Sequence, residues 1–118
     1  MKELKLEATE HTPEVIFNAN EGTFTMSGRL IILDSHAYFS PIMRWWQSYL
    51  TQPNESTTLV IKLEYFSTAN SKSLTSMFRM LQSLPNVKVI WYYDDEDLRD
   101  SGEDFKNFSK LPFELIEY

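Results

Sequence analysis

Cysteine is absent from the 118 residues, which removes disulfides, thiolate nucleophiles, zinc–thiolate sites and iron–sulfur clusters together. Glycine occurs three times and proline five, too rarely for a collagen-like, linker-like or low-complexity chain. With glycine so scarce, neither a phosphate-binding loop nor a G-x-S-x-G elbow can be assigned. Cations are outnumbered eleven to seventeen, and the net charge of −6 disfavours an electrostatic grip on nucleic acid or anionic lipid. Histidine stands only at His11 and His36, neither at a metal-ligand or nucleophile-activating spacing. Long apolar runs are missing too: the longest aliphatic stretch, Leu30 to Leu33, is far below a membrane span, so no direct membrane insertion is expected. Met1 to Glu7 alternates charge with leucine and offers no apolar core for export, which makes a cytoplasmic location the expectation. Without a secretory signal, the glycosylation-like triplets at Asn54 and Asn107 carry no weight.

What is present is ample material for one core. Hydrophobic residues make up 42% of the chain and aromatics 14%, which argues against disorder, and the length suits a single domain spanning residues 1–118. Glu14 to Asn18 and Thr23 to Gly28, joined by turn chemistry at Asn20-Glu21-Gly22, read as a β-hairpin, with Leu4 to Ala8 as a candidate edge strand. Asp34-Ser35-His36 opens a helix to about Leu50, with Pro41 expected in its first turn. Two stripes at helical spacing, one through Trp45 and one through Trp46, make an apolar face broad enough that an exposed remainder is expected to mark a binding surface.

Thr57 to Leu63 reads as a central strand, and Leu74, Met77, Phe78 and Leu81 predict a second helix from about Asn70. Val87 to Tyr92 is a further strand, a third helix follows with Leu98, Phe105 and Phe108 at helical intervals, and Phe113 to Glu117 closes as a strand. The order implies an α/β fold: a mixed sheet, with an N-terminal hairpin and later parallel strands, packed against three to four helices.

Chemistry is sparse. Asp94-Asp95-Glu96-Asp97 lacks a calcium-loop pattern and is explained by favourable interaction with a helix start, so no metal is expected. A small hydrolase using these acids with Glu103 and Asp104 would lack a nucleophile and an oxyanion arrangement. The informative segment is Leu63 to Lys72, where a strand gives way to hydroxyl residues before an amphipathic helix. Thr68 and Ser71 then sit near free backbone N–H groups, which serve either as simple capping positions or as a place where phosphate is favoured, with Lys72 within reach.

Glu14-Val15-Ile16-Phe17, Ser27-Gly28-Arg29, Leu63 to Lys72, Trp91 to Asp97, Gly102-Glu103-Asp104 and Leu111-Pro112-Phe113 resemble, in that order, the SiaC-type regulatory phosphoprotein family. The resemblance covers nearly the whole chain. It implies a domain similar to the STAS class of anti-sigma-factor antagonists, acting without catalysis or cofactor in a bacterial partner switch. The family's phosphoacceptor threonine falls on Thr68, with Ser67 standing where the family usually has asparagine and with Ser67 and Ser71 as rival hydroxyls. The implied partners are a dedicated kinase, a PPM-type phosphatase and a diguanylate cyclase that the unmodified protein binds and activates, controlling c-di-GMP signalling and biofilm formation. The implied partner-binding residues are Glu64, Tyr65, Phe66, Ser67, Asn70, Ser71 and Lys72, joined by Tyr93, Asp94 and Asp95 because parallel neighbours end at one edge. The free protein is expected to be a monomer; the alternative is a STAS-like interaction domain with an unrelated partner, such as an anti-sigma kinase or a transporter.

Overall fold

Local rules account for most of the elements. The computed structural model describes Met1 to Tyr118 throughout, in the order β1 (Leu4–Leu6), β2 (Glu14–Asn18), β3 (Thr23–Leu30), α1 (Ser35–Thr51), β4 (Thr57–Phe66), a 3-10 turn (Thr68–Asn70), α2 (Ser71–Met80), a second 3-10 turn (Leu81–Ser83), β5 (Val87–Tyr93), α3 (Glu96–Ser109) and β6 (Phe113–Glu117). The six strands lie side by side in sequence order. β1, β2 and β3 pair antiparallel, and β3 to β6 pair parallel, so each parallel connection carries one helix. Right-handed crossovers that all advance in the same direction place α1, α2 and α3 on one face of the sheet. The mixed sheet and its N-terminal hairpin match the expectation, with three α-helices.

Alternation decides which residues face those helices. Val15 and Phe17, Phe24 and Met26, Leu59, Ile61 and Leu63, then Val89 and Trp91 are buried, while the residues between them line the open face. Two aromatic clusters fill the core. Phe17 and Phe24 pack on Trp45, Trp46 and Tyr49 at ring separations from 4.8 to 6.0 Å. Trp91, Phe105, Phe78 and Phe113 form the other cluster.

Three expectations change. Asp34 accepts a hydrogen bond from the Ala37 N–H at 3.0 Å and starts α1 at Ser35, so Pro41 lies inside the helix and leaves the carbonyl of exposed Ala37 without its helical donor. The broad aromatic face leaves no indole uncovered: Trp46 is fully buried and Trp45 is 9% exposed, its Nε1 donating to the Lys2 carbonyl at 2.8 Å. The sheet covers both indoles, which removes the basis for a binding surface built on the two tryptophans. Phe108 is 61% exposed, because Gly102 takes the inward place on α3 and lets the helix approach Trp91.

Period-2 alternation breaks at the end of β4. Gly28 pairs with Leu63 but Arg29 pairs with Tyr65, so Glu64 is the extra residue of a β-bulge. Gly28 holds φ +122° there, and a Cβ on it would lie 3.3 Å from the Pro13 Cα. The bulge sends Phe66 inward, against Trp91 at 6.2 Å and Phe105 at 5.8 Å, and leaves Tyr65 52% exposed.

Candidate functional site

The turn between β4 and α2 is built from the residues that sequence singles out, each in a different role. The Ser67 N–H donates to the Leu30 carbonyl at 3.0 Å, extending the β3–β4 pairing by one bond. Asn70 is fully buried and clamps the chain leaving β3: its Oδ1 accepts from the Ile32 N–H at 3.2 Å and its Nδ2 donates to the Ile32 carbonyl at 3.0 Å. The Ser67 hydroxyl donates to the same Oδ1 at 2.8 Å. Ser35 and Ser73 join their hydroxyls at 2.6 Å, tying the start of α1 to the first turn of α2. These bonds satisfy the buried Asn70 amide and fix the turn against the β3–α1 connection.

Thr68 stands apart from that network. It is exposed and opens the 3-10 turn, and its Oγ1 makes no hydrogen bond, whereas Ser67 and Ser71 are both half-buried. Its place at the start of the turn puts it beside N–H groups that have no intrahelical acceptor. Lys72, also exposed, follows four residues later, in the first turn of α2.

Eleven residues come from the sequence reading, and the structure divides them. Thr68, Ser67, Ser71 and Lys72 cluster on the turn and the start of α2, and Glu64 and Tyr65 reach the surface at the end of β4. Phe66 and Asn70 face inward, Phe66 because of the bulge and Asn70 because the Ile32 N–H and carbonyl engage both its amide atoms. Asp95 caps α3 by accepting from the Leu98 N–H at 2.8 Å, with Glu96 and Asp97 in the first turn. The acidic run is thus a helix start.

Tyr93 ends β5, with Asp94 and Asp95 after it, and β5 runs parallel to β4, so both strands end at the same edge of the sheet. Tyr118 was missed by sequence reasoning and joins this edge. Its N–H donates to the Tyr93 carbonyl at 3.0 Å, and the Lys62 ammonium lies 4.4 Å from its ring centroid. Burial pushes its phenol above the usual range, reinforced by the charges of Asp94, Glu64 and Asp95. No spacing pattern in the sequence signals that a terminal tyrosine returns to β4. His11 and His36 are both exposed, and neither imidazole makes a hydrogen bond. Beside the turn, α1 and α2 enclose an open groove of about 510 Å³ that reaches Lys72.

The family model described as SiaC family regulatory phosphoprotein matches residues 6–118. A curated relative, an uncharacterised protein of Pseudomonas aeruginosa, is 22% identical over 98% of this chain and 96% of its own. The crystal structure of apo-SiaC from Pseudomonas aeruginosa superposes with a TM-score of 0.88 at 22% identity, covering 98% of this chain and 99% of that one. SiaC in the crystal structure of the diguanylate cyclase SiaD in complex with its activator SiaC, from the same organism, gives 0.86 at 21% identity, covering 98% and 99%. With the match running from β1 to the last residue, the chain belongs to the SiaC family of regulatory phosphoproteins.

Proposed function

We propose that this chain is a non-enzymatic partner-switch protein, phosphorylated on Thr68 by a dedicated kinase and restored by a PPM-type phosphatase. In this reading its unphosphorylated form binds and activates a diguanylate cyclase, setting c-di-GMP output and through it biofilm formation. The observation that carries the choice of residue is the contrast among three hydroxyls: Thr68 is exposed with a free Oγ1, Ser67 is half-buried and bonded to Asn70, and Ser71 is half-buried. The SiaC–SiaD complex supports a cyclase as the partner.

The physics of the switch is local. A phosphate adds about −1.5 to −2 charge units and three acceptor oxygens where Tyr65, Ser71 and Lys72 are accessible. Buried in an interface without a cationic match, it opposes binding, and every 1.4 kcal/mol or so of that cost is about tenfold in affinity. Binding changes without refolding, because the turn is already held by Asn70.

Mass spectrometry of protein from its native cells, with and without the phosphatase, tests the assignment. A single phosphate on Thr68 that accumulates without the phosphatase is expected; modification at Ser67 or Ser71 alone, or none, overturns it. In binding assays Thr68→Ala should retain the cyclase and Thr68→Asp should weaken it. Equal binding by the two variants would count against a charge switch.

A further inference from the structure

Carboxylates are distributed unevenly in this acidic chain. All seventeen Asp and Glu residues lie outside two stretches, 35–54 and 65–93, which contain the whole of α1 and α2. α3 alone carries Glu96, Asp97, Asp100, Glu103 and Asp104. The molecule therefore has an acidic side at α3, whereas the α1 and α2 helices carry no carboxylate of their own, Asp34 standing only at the cap of α1.

The groove lies between these two helices. Met43 and Met80, both half-buried over the buried Phe39, supply its apolar surface, and His36, Arg44 and Lys72 are its basic residues. The single ion pair of the structure is Lys88–Glu114, so no carboxylate neutralises Arg44 or Lys72. Arg44 donates only to the Ser40 hydroxyl, at 2.8 Å. Two cations left unpaired around two half-buried methionines, in a protein of net charge −6, make a surface complementary to an acidic, amphipathic partner.

Both walls of the groove are helices whose backbone groups, the Ala37 carbonyl opposite Pro41 aside, are bonded internally, so an extended peptide would find no strand edge to pair with. A helix that satisfies its own backbone fits better. The α1 stripe from His36 to Gln47 extends about 16 Å, room for about three turns. We propose that the α1–α2 groove docks an acidic amphipathic helix of a partner protein, its apolar stripe on Met43 and Met80 and its carboxylates on Arg44 and Lys72. A corollary rests on the Thr68 reading: a phosphate one turn before Lys72 lowers the positive potential at that end of the groove and weakens docking.

The test uses the purified, unphosphorylated chain and two labelled 18-residue amphipathic helical peptides with the same leucine and methionine stripe. One carries a glutamate polar face and the other a lysine polar face. Fluorescence anisotropy should show the glutamate peptide binding, with affinity falling as salt rises, and the lysine peptide binding at least tenfold more weakly. Arg44→Glu should cost the glutamate peptide at least tenfold, Arg44→Glu/Lys72→Glu should invert the preference, and Asp100→Lys on α3 should leave it unchanged. No binding of the glutamate peptide, no discrimination between the peptides, or indifference to Arg44→Glu overturns the groove. None of these measurements needs the kinase, the phosphatase or the cyclase, so the groove and the Thr68 assignment fail separately. Equal binding of the glutamate peptide by Thr68-phosphorylated and unmodified protein would remove the corollary alone.

Discussion

Asn70 shows how one side chain makes a surface site by staying off the surface. Its amide holds the Ile32 peptide at both ends and the Ser67 hydroxyl, so the turn presents Thr68 from a rigid base. Replacing it with alanine strands a half-buried N–H, carbonyl and hydroxyl, each costing less than the about 1–3 kcal/mol of a fully buried polar group. Asn70→Ala is expected to lower the unfolding free energy by about 2 kcal/mol in denaturant titration, whereas Thr68→Ala, which breaks no bond, should stay within about 0.5 kcal/mol. A larger loss for Thr68→Ala would contradict its free hydroxyl. Tyr38 makes a second prediction. Burial pushes its phenol from the ordinary value of 10.0 up to about 12, with its hydroxyl 3.4 Å from the Pro13 carbonyl. Between those values the unfolded chain ionises while the folded chain stays protonated, so the unfolded state binds fewer protons and stability falls as pH rises from about 10 to 12. Tyr38→Phe should flatten that alkaline decline in a thermal-melt pH series; an unchanged slope would rule out Tyr38 as its source.

At the scale of elements, two departures from regular pattern position the site. The bulge at Glu64 exchanges the faces of Tyr65 and Phe66, and a helix glycine lets α3 settle on β5 and β6. A Cβ at Gly102 would lie 2.5 Å from Leu115 Cδ2 and 2.6 Å from Trp91 Cδ1. Leu115 has a flexible end, but the Trp91 indole is fully buried and donates to the Leu98 carbonyl at 2.9 Å, so it has little room to retreat. Overpacking of this kind costs about 1–3 kcal/mol, more than the roughly 1 kcal/mol by which alanine favours a helix over glycine. Gly102→Ala is therefore expected to be less stable by about 1 kcal/mol or more in chemical denaturation, and a stabilised variant would show that α3 can shift. Much of the element order was legible in advance. The hairpin, the second helix and the last strand announce themselves by turn residues and periodicity, and Phe113 to Glu117 matches β6 residue for residue. The bulge was not legible, because alternation through Leu59, Ile61 and Leu63 predicts the opposite faces for the two aromatics that follow.

Over the whole molecule, one core joins everything. All three tryptophans are buried, Trp45 and Trp46 in the cluster beneath α1 and Trp91 in the cluster beneath α3. Both clusters belong to a single continuous core, so indole fluorescence and far-UV circular dichroism should report one coincident unfolding transition. Trp91→Phe, which leaves only the α1 pair as reporters, should give coincident curves as well; separated midpoints would mean that the two halves of the sheet unfold independently.

Composition and periodicity by themselves determined the class of fold, the core-facing residues of most strands and the segment that carries Thr68, because these follow from local spacing and from ordered motifs. Tertiary structure alone decided which of three neighbouring hydroxyls is exposed and unbonded, which of two adjacent aromatics reaches the surface, and that Tyr118 returns to Lys62. It also decided that two carboxylate-free helices lie side by side. Each of these depends on contacts between residues far apart in the chain, Asn70 with Ile32, Gly28 with Leu63 and Ser35 with Ser73, and no local periodicity encodes such a meeting.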